Sequence, residues 1–111
     1  MALQINPVPL STWTLLPYEG CQGVERQVFL RLDHLGVGLL RFAPNSTIHE
    51  HPAEIDIDVI CIEGQGKTSV GGEQGALHAG EHVRWPAHIP HRLWTEDSEM
   101  ITLMVEHITV P

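Results

Sequence analysis

The stretch Thr47-Ile-His49-Glu-His51-Pro-Ala-Glu54-Ile-Asp56-Ile-Asp58-Val-Ile-Cys61-Ile-Glu-Gly64-Gln-Gly66 decides how the rest of the chain is read. It opens with two histidines one residue apart. Side chains alternate across a strand, so an extended Thr47–His51 points His49 and His51 the same way, about 6–7 Å apart. Two imidazoles so placed can close on one metal ion; the plainer alternative is a pair of exposed strand histidines. A short Pro-Ala-Glu loop follows, then the clearest strand pattern in the chain. Ile55, Ile57, Val59 and Cys61 share one face of it, and Asp56, Asp58, Ile60 and Ile62 the other. Glu63-Gly64-Gln65-Gly66 reads as a turn, and Lys67–Val70 as a short strand.

Upstream, Pro7 and Pro9 exclude a helix and a central strand, which leaves residues 1–11 as an arm, loose or laid along an edge. Ser11–Leu16 is a short β-like segment, and Tyr18–Gly23 is turn-like. Val24–Leu32 alternates as a strand, Asp33–Gly36 turns, and Val37–Phe42 returns as the second arm of a hairpin ended by Ala43-Pro44-Asn45. Downstream, strands are predicted at Glu73–His78, His82–Trp85 and His91–Thr95, with Pro86 and Pro90 bracketing a turn. Met100–His107 is apolar on both faces and so central. Nowhere do apolar residues hold a 3.6-residue period across three turns without Gly or Pro intervening. Some ten short strands separated by frequent turns imply a β-sandwich or barrel.

The 111 residues are expected to form one domain, globular at 42% apolar residues. The net charge is −8 with six Lys plus Arg and no basic run, which argues against nucleic acid or an anionic membrane as partner. Met1–Leu10 has no positive side chain and is not a signal peptide, and no apolar run approaches the roughly 20 residues of a membrane span. A cytoplasmic protein is the expectation. Cys21 and Cys61 lack metal-motif spacing, and Cys61 reads as a buried free thiol. The eight histidines outnumber Lys and Arg together, which supports a site without locating it.

The chain resembles the cupin superfamily of small jelly-roll barrels. That family's first motif runs glycine, five residues, His-x-His, three or four residues, Glu, six residues, glycine. Here it appears as His49-x-His51, acidic residues and Gly64, without the leading glycine. The second runs glycine, five residues, Pro-x-Gly, two residues, His, three residues, Asn. Here it appears as Gly80, Pro86-Ala87-His88, His91 and Thr95, so that His88 replaces the usual glycine and Thr95 the usual Asn. The likeness covers roughly residues 36–107, with residues 1–23 as an arm and edge strand of a single domain spanning 1–111. It implies an all-β double-stranded β-helix barrel of the cupin type.

By that resemblance His49, His51 and His91 would bind one metal inside the barrel. The fourth ligand stays open. Counting back from Gly64 lands on Ile57, whereas counting forward from His51 lands on Asp56. A one-residue slip turns a strand side chain to the other face. Either a bulge lets Asp56 reach the metal, or Ile57 faces inward and the site has three histidines only; Glu54 is a third candidate. His88 is expected at the barrel mouth, either exposed or close enough to carry a proton. Trp85 and Trp94 read as packing residues or a substrate wall. An anionic substrate would need one of Arg41, Arg84 or Arg92 to point inward.

The resemblance implies one divalent transition metal per chain, with iron, manganese, nickel, copper and zinc all compatible. It also implies a small mononuclear metalloenzyme acting on a small polar molecule, dioxygenase-like or isomerase- or decarboxylase-like. The alternatives are a non-catalytic metal- or ligand-sensing module, and a cupin that has lost its metal and keeps a dry pocket. A homodimer is expected, with the proline-marked arm pairing with the edge of a partner barrel.

Overall fold

The period-two alternation of apolar residues folds as it must, into strands that each bury one face. The computed structural model describes residues 2–8 and 10–109, so Pro9 of the arm lies outside the described residues. Eight strands form among them: β1 (Thr14–Leu15), β2 (Gln22–Arg31), β3 (Leu35–His51), β4 (Ile57–Val70), β5 (Glu73–His78), β6 (His82–Trp85), β7 (His91–Trp94) and β8 (Met100–His107). All pairings are antiparallel, in the order β1-β2-β3-β7-β4-β5, with β6 on β4 and β8 joining β3 to β4. The all-β barrel expected from the sequence is the fold. Among the described residues no helix is long and apolar enough to cross a membrane.

Two turns expected from the sequence are bends inside long strands. Ala43-Pro44-Asn45 does not end a strand: β3 runs through it for 17 residues. Up to Phe42, β3 is laddered to β2 and β8; from Thr47 it is laddered to β7, with one β2 pair, Gln22 with Thr47, kept beyond a register shift. Pro44 stands between those partners, where a missing N–H breaks no ladder bond, and Asn45 takes the left-handed conformation at φ 56°. Gly64 likewise bends β4, a 14-residue strand, rather than ending it. Its φ is 76°, and a Cβ there would stand 1.9 Å from the Glu99 carbonyl oxygen, so only glycine fits. Before that bend β4 pairs with β6 and β8, and after it with β5 and β7. The ten short strands of the sequence reading become eight because two strands turn barrel corners.

The core is built from Val24, Leu40, Phe42, Ile48, Ile57, Val59, Cys61, Leu77, Trp85, Leu93 and Met100. The face Ile57/Val59/Cys61 is buried as its alternation predicts, while Ile62 on the opposite face is exposed. β8 is central, paired along β3 on one side and β4 on the other. Thr95 secures the β3 bend to the end of β7: its hydroxyl donates to the Ala43 carbonyl at 2.6 Å and accepts from the Ser46 N–H at 3.0 Å.

Candidate functional site

β7 lies between β3 and β4, and its first residue is His91. Register pairs His91 with His51 on β3 and with Val70 on β4. Alternation puts His49 on the face of His51, so three imidazoles meet at one end of the barrel. The His49 and His51 rings stack with centroids 4.3 Å apart and planes 22° from parallel. His51 and His91 meet edge to face at 4.7 Å. Trp85 lies flat on the other side of His91, 4.0 Å between centroids and 9° between planes. Trp85 is thus both core and site wall, anchored by its indole N–H to the Thr68 hydroxyl at 3.1 Å.

The three rings differ in their hydrogen bonds. Nδ1 of His51 is 2.8 Å from the His49 carbonyl oxygen. A carbonyl only accepts, so this nitrogen carries the proton and Nε2 keeps a free lone pair. A backbone carbonyl on the far nitrogen is the usual way a ligating imidazole is oriented. Nδ1 of His49 faces the Cys21 sulfur at 3.2 Å. His91 is 1% exposed, yet neither of its ring nitrogens has a hydrogen-bond partner. Burial, then the neighbouring His51, pushes its pKa down to about 4; the nearby Ile89 backbone opposes this without completing a hydrogen bond. His91 is therefore neutral at pH 7, the form in which imidazole binds metals. Buried polar atoms without partners are rare and call for an explanation.

Among the described residues, no three His, Cys, Asp or Glu side chains already stand in coordinating geometry. The stacked pair shows why. Nearly parallel faces present their edges side by side, not toward a shared point, so one of these two rings must turn for the set to close. The spacing is close to what an ion needs: imidazoles bonded at about 2.1 Å to one ion have centroids about 4.6 Å apart at a right angle and about 5.3 Å apart at the tetrahedral angle, against 4.3 and 4.7 Å here.

The structure does not bring Asp56 to the histidines. Its carboxylate accepts the Ala87 N–H at 2.8 Å and faces Arg84 at 3.6 Å. Glu54 is exposed in the loop. Ile57 faces the site instead, the register in which the carboxylate position holds an apolar side chain. The histidines line a cavity of about 370 Å³ together with Leu40, Ile48, Ile57, Trp85 and Met104. Four polar residues at its wall are new: Tyr18, Cys21, Arg26 and Glu106. Arg26 shares the inward face of Val24, and Glu106 that of Met100 and Thr102, so period-two counting could have found both. Cys21 sits in a loop and carried no such signal.

The other candidates lie elsewhere. His88 is exposed at φ 67°, the left-handed conformation that a glycine would adopt without strain. Arg92 stacks on Trp94, and Arg41 stacks on Trp13 while pairing with Glu25. Arg84 is held by Asp58, whose carboxylate also meets His82 and His107, each at 2.6 Å. None of these three arginines lines the cavity. Both cysteines are free, Cys61 buried as expected. Burial and then the Glu81 charge raise the Cys61 thiol pKa.

No curated protein sequence matches the chain. Solved structures match at the level of fold. The polyketide cyclase RemF from Streptomyces resistomycificus superposes with a TM-score of 0.82 at 16% identity, covering 100% of this chain and 82% of that one. KdgF from Halomonas sp. gives 0.74 at 18% identity, covering 89% and 88%. An RmlC-like cupin from Shewanella frigidimarina gives 0.76 at 17%, covering 92% and 85%. The family model described as "Cupin domain" matches residues 38–106. With both motif histidine sets at one end of an all-β barrel and most of the chain matched, the protein belongs to the cupin domain family.

Proposed function

We propose that this cupin holds one divalent transition metal through His49, His51 and His91 and uses it to act on a small, polar, anionic molecule. The observation that carries the reading is His91, a fully buried, neutral imidazole with two unpartnered nitrogens beside two further histidines. An ion bound there supplies a Lewis acid and, if redox-active, a place to activate O₂. The chain does the rest. His51 is held by the His49 carbonyl with its free lone pair on Nε2. Trp85 and Ile57 exclude water from one side of the site. A cavity of about 370 Å³ suits a small molecule. Arg26 at the wall has no carboxylate within salt-bridge distance among the described residues, which favours an anionic group on the ligand. Glu106 is the carboxylate at the wall available for proton transfer. The protein works as a homodimer joined through its N-terminal arm.

The test begins with metal analysis of protein purified without a histidine tag. About one metal per chain is expected, or uptake of Fe(II) or Mn(II) that raises the thermal midpoint. Oxygen uptake with a panel of thiols, diketones and catechols then separates an oxygenase from an isomerase or decarboxylase. Metal without turnover of any kind favours the second reading, a sensing module, which the unpaired Arg26 also suits. No metal, and none bound on addition, ends both.

A further inference from the structure

Resting on that metal reading, we infer that the Cys21 thiolate is a fourth protein ligand of the ion. Three histidines leave a coordination position open on a four-coordinate ion. The position where a carboxylate would stand is occupied by Ile57, and Asp56 is tied to Ala87 and Arg84 outside the cavity. Cys21 supplies what is missing from another direction. Its sulfur lies 3.2 Å from Nδ1 of His49 and lines the same cavity as the three histidines. A sulfur at about 2.3 Å and a nitrogen at about 2.1 Å from one tetrahedral ion are about 3.6 Å apart, so this hydrogen-bonded pair at 3.2 Å need open by only about 0.4 Å to become neighbouring ligands. His91 marks the cavity independently, since both its buried nitrogens still lack partners.

The approach of Cys21 is built into the backbone. Gly20 and Gly23 flank it, both with positive φ, at 88° and 71°. A Cβ on Gly20 would stand 2.7 Å from the His49 Cβ, and one on Gly23 would stand 2.2 Å from the Ser46 hydroxyl oxygen. Only glycines let this turn press against β3, and pressing it there places the cysteine between them on His49. The Cys21 N–H is satisfied by the Tyr18 carbonyl at 3.1 Å, which holds the turn closed. A sulfur beside imidazoles selects zinc, copper, cobalt or iron over magnesium or calcium, and binding releases the thiol proton.

Cobalt(II) titration of the metal-free protein tests this by spectrum. Wild type is expected to show visible bands from bound cobalt and a near-ultraviolet sulfur-to-cobalt charge-transfer band. Cys21→Ser should lose the near-ultraviolet band, keep visible bands, and bind cobalt at least about 10-fold more weakly. Cys61→Ser should keep both. Visible bands without the sulfur band in wild type overturn the Cys21 assignment while leaving the histidine reading intact. A sulfur band that survives in Cys21→Ser overturns it too. Absence of any cobalt spectrum overturns both readings. The wild-type spectrum decides even if a variant folds poorly.

Discussion

His91 carries the most information of any residue in this protein because its environment is wrong for an ordinary core side chain. An imidazole with two unpartnered nitrogens at 1% exposure is a cost to the metal-free fold. Unpaired buried polar groups typically cost about 1–3 kcal/mol, while stacking on Trp85 returns about 0.5–1.5 kcal/mol. His91→Leu should therefore stabilise the protein in chelator by about 1 kcal/mol, read by urea unfolding, and abolish metal binding. A less stable His91→Leu variant in chelator would show that the imidazole is satisfied without an ion. The identity of this residue was legible because its spacing from Gly80 and Pro86 matches a family pattern. Its fellow ligand candidate Asp56 was not settled, since two counts disagreed by one residue and a strand reverses its facing at every step. Only the register, Ile57 opposite Trp85 and Glu106, decides which of the two faces inward.

At the level of elements, the turns were harder to read than the strands. Gly64 and Pro44 look like chain reversals in sequence, yet each bends a strand at the point where it changes partners. Local composition signals a break in regular pairing; whether the chain then reverses or continues depends on the strands waiting on the far side. The outer face of β4 shows a second consequence of register. Asp58 faces Arg84 and His82 across from β6 and His107 from β8, so one carboxylate ties three strands. The Arg84 guanidinium, then His82 and His107, hold Asp58 well below the usual carboxylate range, against the opposing effect of burial. The unfolded Asp takes up its proton near the ordinary value of about 3.9. Between that value and the lower folded one the unfolded chain binds more protons, so the stabilisation is present at neutral pH and fades as pH falls below about 4. Asp58→Asn should lower the urea midpoint at pH 7, and the gap from wild type should narrow at pH 3. A gap of equal size at both values would mean that the Asp58 charge contributes nothing.

At the scale of the whole molecule, the N-terminal arm is the exposed apolar feature. Leu3, Ile5 and Leu10 are 85%, 84% and 58% exposed, and Leu15 on the two-residue edge strand β1 is 66% exposed. Among the described residues β1 has no further strand on its outer edge, which invites pairing with another chain. Exposed apolar side chains on the arm and on β1 offer surface that a second copy of the chain would cover in a homodimer. Ser11 clamps the chain to β2: its carbonyl accepts from the Gln27 amide and its hydroxyl from the Val28 N–H, each at 3.0 Å. A chain beginning at Ser11 keeps that clamp, β1 and the loop through Leu16, Tyr18 and Cys21 that lines the cavity. Removing residues 1–10 should therefore convert a dimer to a folded monomer by sedimentation velocity, with metal content unchanged and the thermal midpoint lowered as the dimer's mass-action support is lost. A wild-type protein that sediments as a monomer at tens of micromolar, or a truncated one that remains a dimer, would place the interface elsewhere and leave the arm's exposed leucines without a partner in this chain.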